Sequence, residues 1–193
     1  MNIELKDFKV QDLENTKFIH PVRVTYNLNG KDKSWEAVRS HDSVAVLLYH
    51  TEKNAFLLVN QFRAPVYLSD KRKKFTYELC AGLVDKDIPL ENIVKEEIDE
   101  ECGYDVKVEN ISKIAQFYNN VGVSGGCQSV YFAKIDESMK IHEGGGINDE
   151  YIETMFLPID DIDEFIFDES KAKTPGLMFS LYWFLKNKEK LGF

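Results

Sequence analysis

The hydrophobic pattern along the chain consists mostly of short apolar runs separated by turn signals, which predicts strands. Residues 17–28 and 34–40 alternate loosely and flank an Asn-Gly dipeptide, a strong turn signal, so we expect a hairpin or a meander. Residues 43–50 and 55–62 are rich in Val and Leu and are separated by TEKN, which predicts two strands joined by a tight turn. Later runs predict further strands at 75–80 and near 105–118, 128–135 and 152–157.

The periodicity changes to that of a helix in three places. Residues 89–102 open with a first-turn proline and end before Gly103, a good stop signal. A short helix is expected near 159–166, and the last helix begins at Thr174-Pro175. One side of that last helix is apolar, through Leu177, Met178, Leu181, Phe184 and Leu185. Strands mixed with a few helices favour an α+β fold or a mixed α/β sandwich.

Composition and charge narrow the classes of function. The 193 residues are 44% hydrophobic and 30% charged, which is ordinary for one sizeable globular domain with or without a small appendage. The formal net charge of −9 argues against nucleic acid and anionic membranes as partners, because both attract a basic surface. A phosphate substrate would then need a local cation, from a metal or an arginine, at the site.

Cysteine usage and hydropathy predict a cytoplasmic protein. Cys80, Cys102 and Cys127 are odd in number and form no CxxC pair, which indicates reduced thiols and no structural zinc. The first ten residues have no apolar signal core, and the longest apolar run, 44–49, is too short to span a bilayer.

The 89–102 helix carries the most informative chemistry. Leu90, Ile93, Val94 and Ile98 form one apolar stripe, and the carboxylates that fall within it or at its edge are Glu97, Glu101 and Glu100. Burying unpaired anions side by side is unfavourable unless a cation offsets their charge. Since no Lys or Arg lies on the stripe, we expect a divalent cation, Mg²⁺ or Mn²⁺, which prefers carboxylate oxygens. The alternative, a solvated acidic face, fits Glu96 and Asp99 on the outer side.

The segment 81–104, AGLVDKDIPLENIVKEEIDEECGY, resembles the Nudix box, GX5EX7REUXEEXGU, in which U is a bulky apolar residue. The matching positions are Gly82, Glu97, Ile98, Glu100, Glu101 and Gly103, with Tyr104 in the last bulky position. In that family the box is a loop–helix–loop that binds divalent metal. The resemblance therefore implies that Glu97 and Glu101 are the principal metal ligands. It makes Glu100 a third candidate and the backbone carbonyl of Ala81 a further one.

Two positions depart from this consensus. Ile88 stands where the box has its first Glu, and Glu96 stands where it has its Arg. In the family these two residues usually pair and orient a metal-binding Glu. Glu91 and Lys95, one turn apart, are candidates to form a pair that partly replaces them.

The resemblance extends over nearly the whole chain, through LVNQFRAPVY (58–67), GVSGGCQSVYF (122–132) and GGGINDEYIETMFLP (144–158) among others. It is closest to the UDP-sugar diphosphatases and related to the ADP-ribose diphosphatases. It implies a Nudix α/β/α sandwich at 43–193, preceded by a small β-rich dimerisation unit at 1–42, and a homodimer.

Four further residues are candidates for substrate binding. Arg63 ends an apolar strand, where a guanidinium could grip a phosphate in two places, or could simply form a surface salt bridge. Glu78 precedes the metal loop and could reach the metal or the substrate, or be solvated. By resemblance, Trp35 lies where related enzymes stack the nucleobase, although a core or interface role suits it equally. Arg39 is a weaker candidate for the same pocket.

Glu150 and Glu153 follow a triple glycine in HEGGGIND (142–149), which we expect to be a mobile loop. A loop that closes over substrate can deliver a carboxylate to a water molecule as a catalytic base. Glu150 is our first choice for this role and Glu153 the second, because Glu153 alternates onto the next strand. Glu150 as a plain loop charge is the alternative.

Together these features predict a Mg²⁺-dependent hydrolase that splits the diphosphate of a nucleotide sugar such as UDP-glucose or ADP-ribose. The products would be a nucleoside monophosphate and a sugar phosphate. The missing Glu–Arg pair leaves open a catalytically weak or inactive module that binds nucleotide sugars. An acidic protein-interaction domain that binds no metal is a second alternative.

Overall fold

The computed structural model describes Lys9 and residues 19–147 and 150–193. The strands in this part of the chain are β1 (His20–Leu28), β2 (Lys31–Arg39), β3 (Ser43–His50), β4 (Ala55–Gln61), β5 (Thr76–Glu78), β6 (Cys80–Leu83), β7 (Ser112–Tyr118), β8 (Cys127–Ile135), β9 (Ile152–Pro158) and β10 (Ala172–Lys173). The α-helices are α1 (Ala64–Ser69), α2 (Leu90–Glu97), α3 (Ile162–Phe167) and α4 (Pro175–Asn187).

A mixed sheet forms the centre of the molecule. Its main path runs β10-β5-β4-β3-β8-β7, with β6 also pairing with β3 and β9 with β4. The β3–β8 and β10–β5 pairs are parallel, and the other pairs are antiparallel. Strands β1 and β2 form a separate two-stranded antiparallel sheet.

Helices cover both faces of this central sheet. Alternate residues of β3 point to opposite sides: Val44 and Val46 pack in one core with Ile93 and Ile98 of the α2 region. Ala45 and the residues that alternate with it pack in a second core with α3 and α4. Strands buried on both faces read as continuous apolar runs, which explains why β3 and β4 were predictable. The three layers confirm the expected α/β/α sandwich.

Helix boundaries follow the signals in the sequence. The Thr174 hydroxyl accepts a hydrogen bond from the Leu177 N–H at 3.4 Å, and Pro175 occupies the first turn of α4, as expected. Leu177, Leu181 and Phe184 are fully buried. At the other predicted helix, Gly103 has a φ of 74°, a left-handed conformation that favours glycine at a helix end.

The predicted continuous α-helix over 89–102 is wrong in its second half. The α-helix ends at Glu97, and Ile98–Cys102 forms a π-helical turn. A π turn inserts about one extra residue into the helical repeat, so a wheel drawn at a constant angle misplaces the residues that follow. Glu100 and Glu101 both lie in this π turn.

Three other elements also differ from the prediction. The 75–80 strand is divided at Leu79, because the chain leaves its pairing with β4 and begins pairing with β3. Only Ser112–Tyr118 of the 105–118 stretch is a strand, because Val108–Asn110 forms a 3₁₀ turn. The apolar Val106 and Ile111 on either side of this turn pack in the core with α2. The helix expected at 159–166 begins as a 3₁₀ turn and continues as α3.

Helix α1 was not predicted from the sequence. It has no buried residue, and therefore no apolar periodicity, and a first-turn proline is its only signal. The predicted N-terminal strand begins at His20, and residues 17 and 18 lie outside the described residues, as does most of the predicted unit at 1–42.

Helices in the described part of the chain are all too short or too polar to cross a membrane.

Candidate active site

A pocket of about 530 Å³ lies where β6, the end of α2 and the loop at 142–147 meet. We call this loop, which contains the triple glycine, the glycine loop. We call it the acidic pocket. The structure brings seven of the predicted site residues to its wall: Arg63, Glu78, Ala81, Glu97, Glu100, Glu101 and Glu150. They come from β5, β6, α2, the π turn and two loops, so only the tertiary fold assembles them.

Glu101 is the most buried carboxylate of the pocket, with 5% of its surface exposed. Its Oε2 accepts a hydrogen bond from the Ala81 N–H at 3.0 Å. Burial raises the pKa of Glu101 to about 8, and the charges of Glu97 and Glu150 add to this, although the hydrogen bonds from Ala81 and the Cys80 thiol oppose it. The Glu101 side chain is therefore held in place while its charge stays uncompensated.

Glu97 lies directly over Gly82. A Cβ atom at position 82 would overlap the Glu97 carboxyl group, so only glycine permits this approach. Partial burial raises the pKa of Glu97 to about 7, and the negative charges of Glu100 and Glu150 raise it further. The first glycine of the box thus makes room for the Glu97 carboxylate.

The π turn supplies the attachment point for the glycine loop. The Glu101 carbonyl accepts a hydrogen bond from the Gly145 N–H at 2.9 Å, and the Glu100 carbonyl accepts one from the Gly146 N–H at 3.0 Å. Gly144 packs against the Glu101 backbone so closely that a side chain would not fit. The loop predicted at 142–149 is a loop over its described residues, 142–147, and it is docked on the helix end; its mobility stays a prediction.

Glu150 lies at the mouth of the acidic pocket. Its side chain is exposed, and its Oε2 accepts a hydrogen bond from the Ile147 N–H at 3.0 Å. Its charge contributes to the raised pKa values of both Glu97 and Glu101. Glu150 is therefore close enough to act on the same substrate as the box carboxylates.

Arg63 and Glu78 are paired with each other at the pocket wall. Arg63 donates from Nε to Glu78 Oε1 at 2.8 Å and from Nη2 to Glu78 Oε2 at 2.9 Å. This two-point bond raises the pKa of Arg63, although burial opposes it. Because Glu78 is buried and Arg63 is half-exposed, Glu78 fixes the guanidinium while part of it still faces the pocket.

The donor set of the pocket fits a hard divalent cation. Carboxylate oxygens predominate, and two of the carboxyl pKa values are raised, first by burial and then by the charges of neighbouring carboxylates. Among the described residues, no three His, Cys, Asp or Glu side chains yet converge on one point with metal-ligand spacing. The described donor atoms of the pocket therefore suit a divalent cation, but they do not form a ready-made coordination sphere.

The structure corrects one prediction about the departures from the box. Glu91 and Lys95 do not pair: Glu91 accepts a hydrogen bond from Tyr131 at 3.2 Å, and Lys95 is bonded to Asp105. Instead, Glu96 is bonded to Lys86 in the loop before the helix. A loop–helix ion pair thus exists at the consensus Arg position, with the helix contributing the negative partner.

Three predicted site residues do not line the acidic pocket. Trp35 is 56% exposed in β2 and donates its Nε1–H to the Gly122 carbonyl at 2.9 Å. Arg39 lies at the end of the same strand, opposite His20. Glu153 lies in β9 opposite Asn60. The proposed roles of Trp35 and Arg39 rest on the resemblance, and that of Glu153 rests on its position after the triple glycine; none of the three rests on proximity to the pocket.

Sequence reasoning missed several residues at the pocket. Lys86 lines it from a polar loop that gave no functional signal. Gln128 lines it from the start of β8, where a polar residue opening a buried strand was the only sign. Cys80 was considered only as a reduced thiol, yet it lies beside Glu101 and lowers the pKa of that carboxyl group.

The three-layer fold and the carboxylate pocket match what the resemblance to Nudix hydrolases predicts, and comparison with known proteins supports that class. Uridine diphosphate glucose pyrophosphatase NUDT14 of Bos taurus is 30% identical over 195 aligned positions, which cover 86% of this chain and 88% of the relative. GDP-mannose pyrophosphatase of Cronobacter sakazakii is 33% identical, with 82% of each chain covered. GDP-mannose pyrophosphatase of Escherichia coli K12 is 31% identical, over 74% of this chain and 76% of the relative.

The chain belongs to the Nudix family of hydrolases. A comparison with protein-family models gave no match.

Proposed function

We propose that this protein hydrolyses the diphosphate bond of nucleoside diphosphate sugars, giving a nucleoside monophosphate and a sugar phosphate. The observation that carries the proposal is the acidic pocket, which places Glu97, Glu100, Glu101 and Glu150 beside Arg63. Relatives of the chain are named for their action on UDP-glucose and GDP-mannose, which supports this class of substrate.

Glu97, Glu101 and Glu100, together with the carbonyl of Ala81, would hold Mg²⁺, with Mn²⁺ as an alternative. When bound, such a cation withdraws charge from the diphosphate and makes a neighbouring water more acidic. The raised pKa values of Glu97 and Glu101 support this assignment, because a cation would stabilise their ionised forms. It would also allow a chain of net charge −9 to accept an anionic substrate.

The other candidate residues would position substrate and water, Arg63, Glu78 and Glu150 from the pocket wall and Glu153, Trp35 and Arg39 from outside it. Arg63, oriented by Glu78, would bind a phosphate oxygen of the diphosphate. Glu150 would accept a proton from the attacking water as that oxygen bonds to phosphorus and the anhydride P–O bond breaks. Glu153 is the second candidate for this base. Trp35 would stack the nucleobase, and Arg39 would assist it.

Initial-rate assays on UDP-glucose, GDP-mannose and ADP-ribose, with and without Mg²⁺, test this function. We expect turnover that requires Mg²⁺, with nucleoside monophosphate released in a 1:1 ratio with sugar phosphate. Glu101→Gln and Glu150→Gln should each reduce kcat by about 100-fold or more. Glu109→Gln changes an exposed glutamate far from the pocket and is the matched control.

Full turnover in both pocket variants would contradict the assigned roles. Tight binding of nucleotide sugars by the wild-type chain without any product would instead support the binding module that the altered box allows. The ranking of the three substrates decides between the UDP-sugar, GDP-sugar and ADP-ribose alternatives.

We also propose that the chain forms a homodimer through a dimerisation unit at 1–42, which precedes the hydrolase domain at 43–193. Within this unit, the β1–β2 hairpin would contact a second copy of the chain. One face of this hairpin carries Val24 and Trp35, a cross-strand pair, with Tyr26 and Leu28 beside them. These four side chains are 43–56% exposed, whereas the opposite face is polar and holds an Arg23–Glu36 pair. An open apolar face on a two-stranded sheet needs a partner surface.

A cytoplasmic location is also our proposal. Three free cysteines support it, because an oxidising compartment favours paired ones.

A further inference from the structure

A second cavity of about 230 Å³ adjoins the acidic pocket. The two share three lining residues, Glu78, Ala81 and Gln128. We call the second cavity the amide compartment, because the polar side chains that complete its wall are Asn119, Asn120 and Thr174 with Gln128. The start of α4 closes it, through Pro175 and Gly176.

The chemistry of this wall differs from that of the acidic pocket. Its described lining residues include no Lys, no Arg and no aromatic ring, and Glu78 is their one charged member. Each carboxamide has both donors and acceptors, as vicinal hydroxyl groups do. A diphosphate would find no cation here, and a nucleobase would find no ring to stack on. A polyhydroxylated ring suits such a wall best.

The fold fixes the two asparagines that line the compartment. Asn120 has a φ of 46°, and its carbonyl accepts hydrogen bonds from the N–H groups of Val123 and Ser124, which closes a tight turn. The Asn119 N–H donates to the Gly126 carbonyl at 2.8 Å. Within the described residues, the side-chain amides of Asn119 and Asn120 take part in none of the hydrogen bonds. They remain available for a ligand.

Gln128 is held at the boundary between the two cavities. Its Nε2 donates to the Ser43 hydroxyl at 3.3 Å. Its Oε1 lies against Gly176, where an added Cβ would be only 2.6 Å away. The glycine at the start of α4 therefore leaves space for the Gln128 amide, which can contact ligands on either side.

We infer that the amide compartment binds the sugar ring of the nucleotide sugar while the diphosphate occupies the acidic pocket. This inference rests on the proposed function for the identity of the substrate. The shared residues Glu78, Ala81 and Gln128 then mark the junction between sugar and phosphate. Asn119, Asn120 and Gln128 are specificity residues that contact the sugar hydroxyl groups.

The test compares UDP-glucose with the methyl ester of UDP, which has the same nucleoside and diphosphate but a methyl group in place of the glucose ring. The double variant Asn119→Ala/Asn120→Gly removes both amides, and glycine keeps the positive φ at position 120. Dissociation constants are measured by calorimetry with Ca²⁺ replacing Mg²⁺, and kcat/KM is measured with Mg²⁺. Asn110→Ala, at an exposed site outside both cavities, is the matched control.

We expect the double variant to lower the ratio of kcat/KM for UDP-glucose to that for the methyl ester by about fivefold or more. The ratio of the two dissociation constants should change by a similar factor. The control should leave both ratios unchanged. If the double variant fails to fold, Gly176→Ala, which displaces the Gln128 amide, replaces it and should lower the same ratios.

Equal losses for both ligands, or no loss for either, would overturn the inference. Failure of the proposed function is distinguishable from this result, because it appears as absent turnover in the wild-type chain. In that case the calorimetric ratio alone decides: weaker selectivity for UDP-glucose in the variant supports the amide compartment, and unchanged selectivity refutes it.

Discussion

The ionised form of Glu101 lowers the stability of the metal-free protein. Its folded-state pKa of about 8 lies above the ordinary value of 4.5, because the ionised form is buried near other carboxylates. Its contribution to stability is therefore fully present below the unfolded pKa. That contribution is lost as the pH rises from about 4.5 through about 8. Near neutral pH, ionising this side chain therefore destabilises the metal-free protein, whereas a bound cation would stabilise the ionised form.

Glu101→Gln should therefore stabilise the metal-free protein while abolishing turnover. Glutamine keeps an acceptor for the Ala81 N–H but carries no charge, so we expect Tm to rise by about 3–6 °C at pH 8.5. The gain should shrink at pH 5.5, where the native-state glutamate is already protonated. Calorimetric melting at the two pH values measures this, and a lower Tm for the variant at pH 8.5 would contradict the argument.

Gly82→Ala tests the close approach between Gly82 and Glu97. The new Cβ must displace the Glu97 carboxyl group, so kcat should fall by about 100-fold or more, as it does when a catalytic group is misplaced. Tm should change little, because the displaced side chain is only half-buried. Gly122→Ala is the control, since nothing lies within 4 Å of a Cβ there. Equal rates in both alanine variants would show that Glu97 need not lie over Gly82.

At the scale of elements, the glycine loop and the π turn act as one unit. His142 joins them: its Nδ1 accepts a hydrogen bond from the Gly144 N–H at 3.0 Å, so the neutral ring carries its proton on Nε2. That Nε2 lies 2.6 Å from Asp99 Oδ1 and donates to it. The ring therefore ties the loop that leads to Glu150 to the π turn that follows α2.

His142→Ala should loosen this attachment without unfolding the protein. We expect kcat to fall about fivefold to tenfold, because Glu150 would be less well positioned, with a smaller change in KM. Hydrogen exchange should become faster at the Gly145 and Gly146 amides, whose partners are the Glu101 and Glu100 carbonyls. His20→Ala, on the exposed hairpin, is the control. Unchanged exchange at those two amides would rule out the proposed attachment.

At the scale of the whole molecule, the open apolar face of the β1–β2 hairpin is the main feature that the described residues of one chain leave uncovered. We expect sedimentation and light scattering to give about twice the 22.3 kDa mass of the chain. Val24→Glu places a charge on this face and should shift the protein towards monomer. Thr25→Glu places the same charge on the opposite, polar face and should leave the mass unchanged. A monomeric wild-type chain would refute the dimer.

Much of this organisation was predictable, and for identifiable reasons. Strand β3 and its partner β4 are buried on both faces, so their apolar runs match the strands almost residue for residue. The start of α4 follows from Thr174 and Pro175, whose effects are local. The secondary-structure prediction was wrong at 105–111, where buried apolar residues lie outside any strand. It missed α1, which has no buried residue.

The sequence by itself determined the existence of the helix that carries the acidic residues, the glycine that ends it, and the membership of Glu97, Glu100 and Glu101 in one motif. These depend on neighbours within a few turns of the chain. Only the tertiary structure decided that Arg63 is held by Glu78, that Lys86 pairs with Glu96, and that two cavities share a wall. Those contacts join distant segments, and a linear sequence does not specify which side chains meet when the layers of the fold pack together.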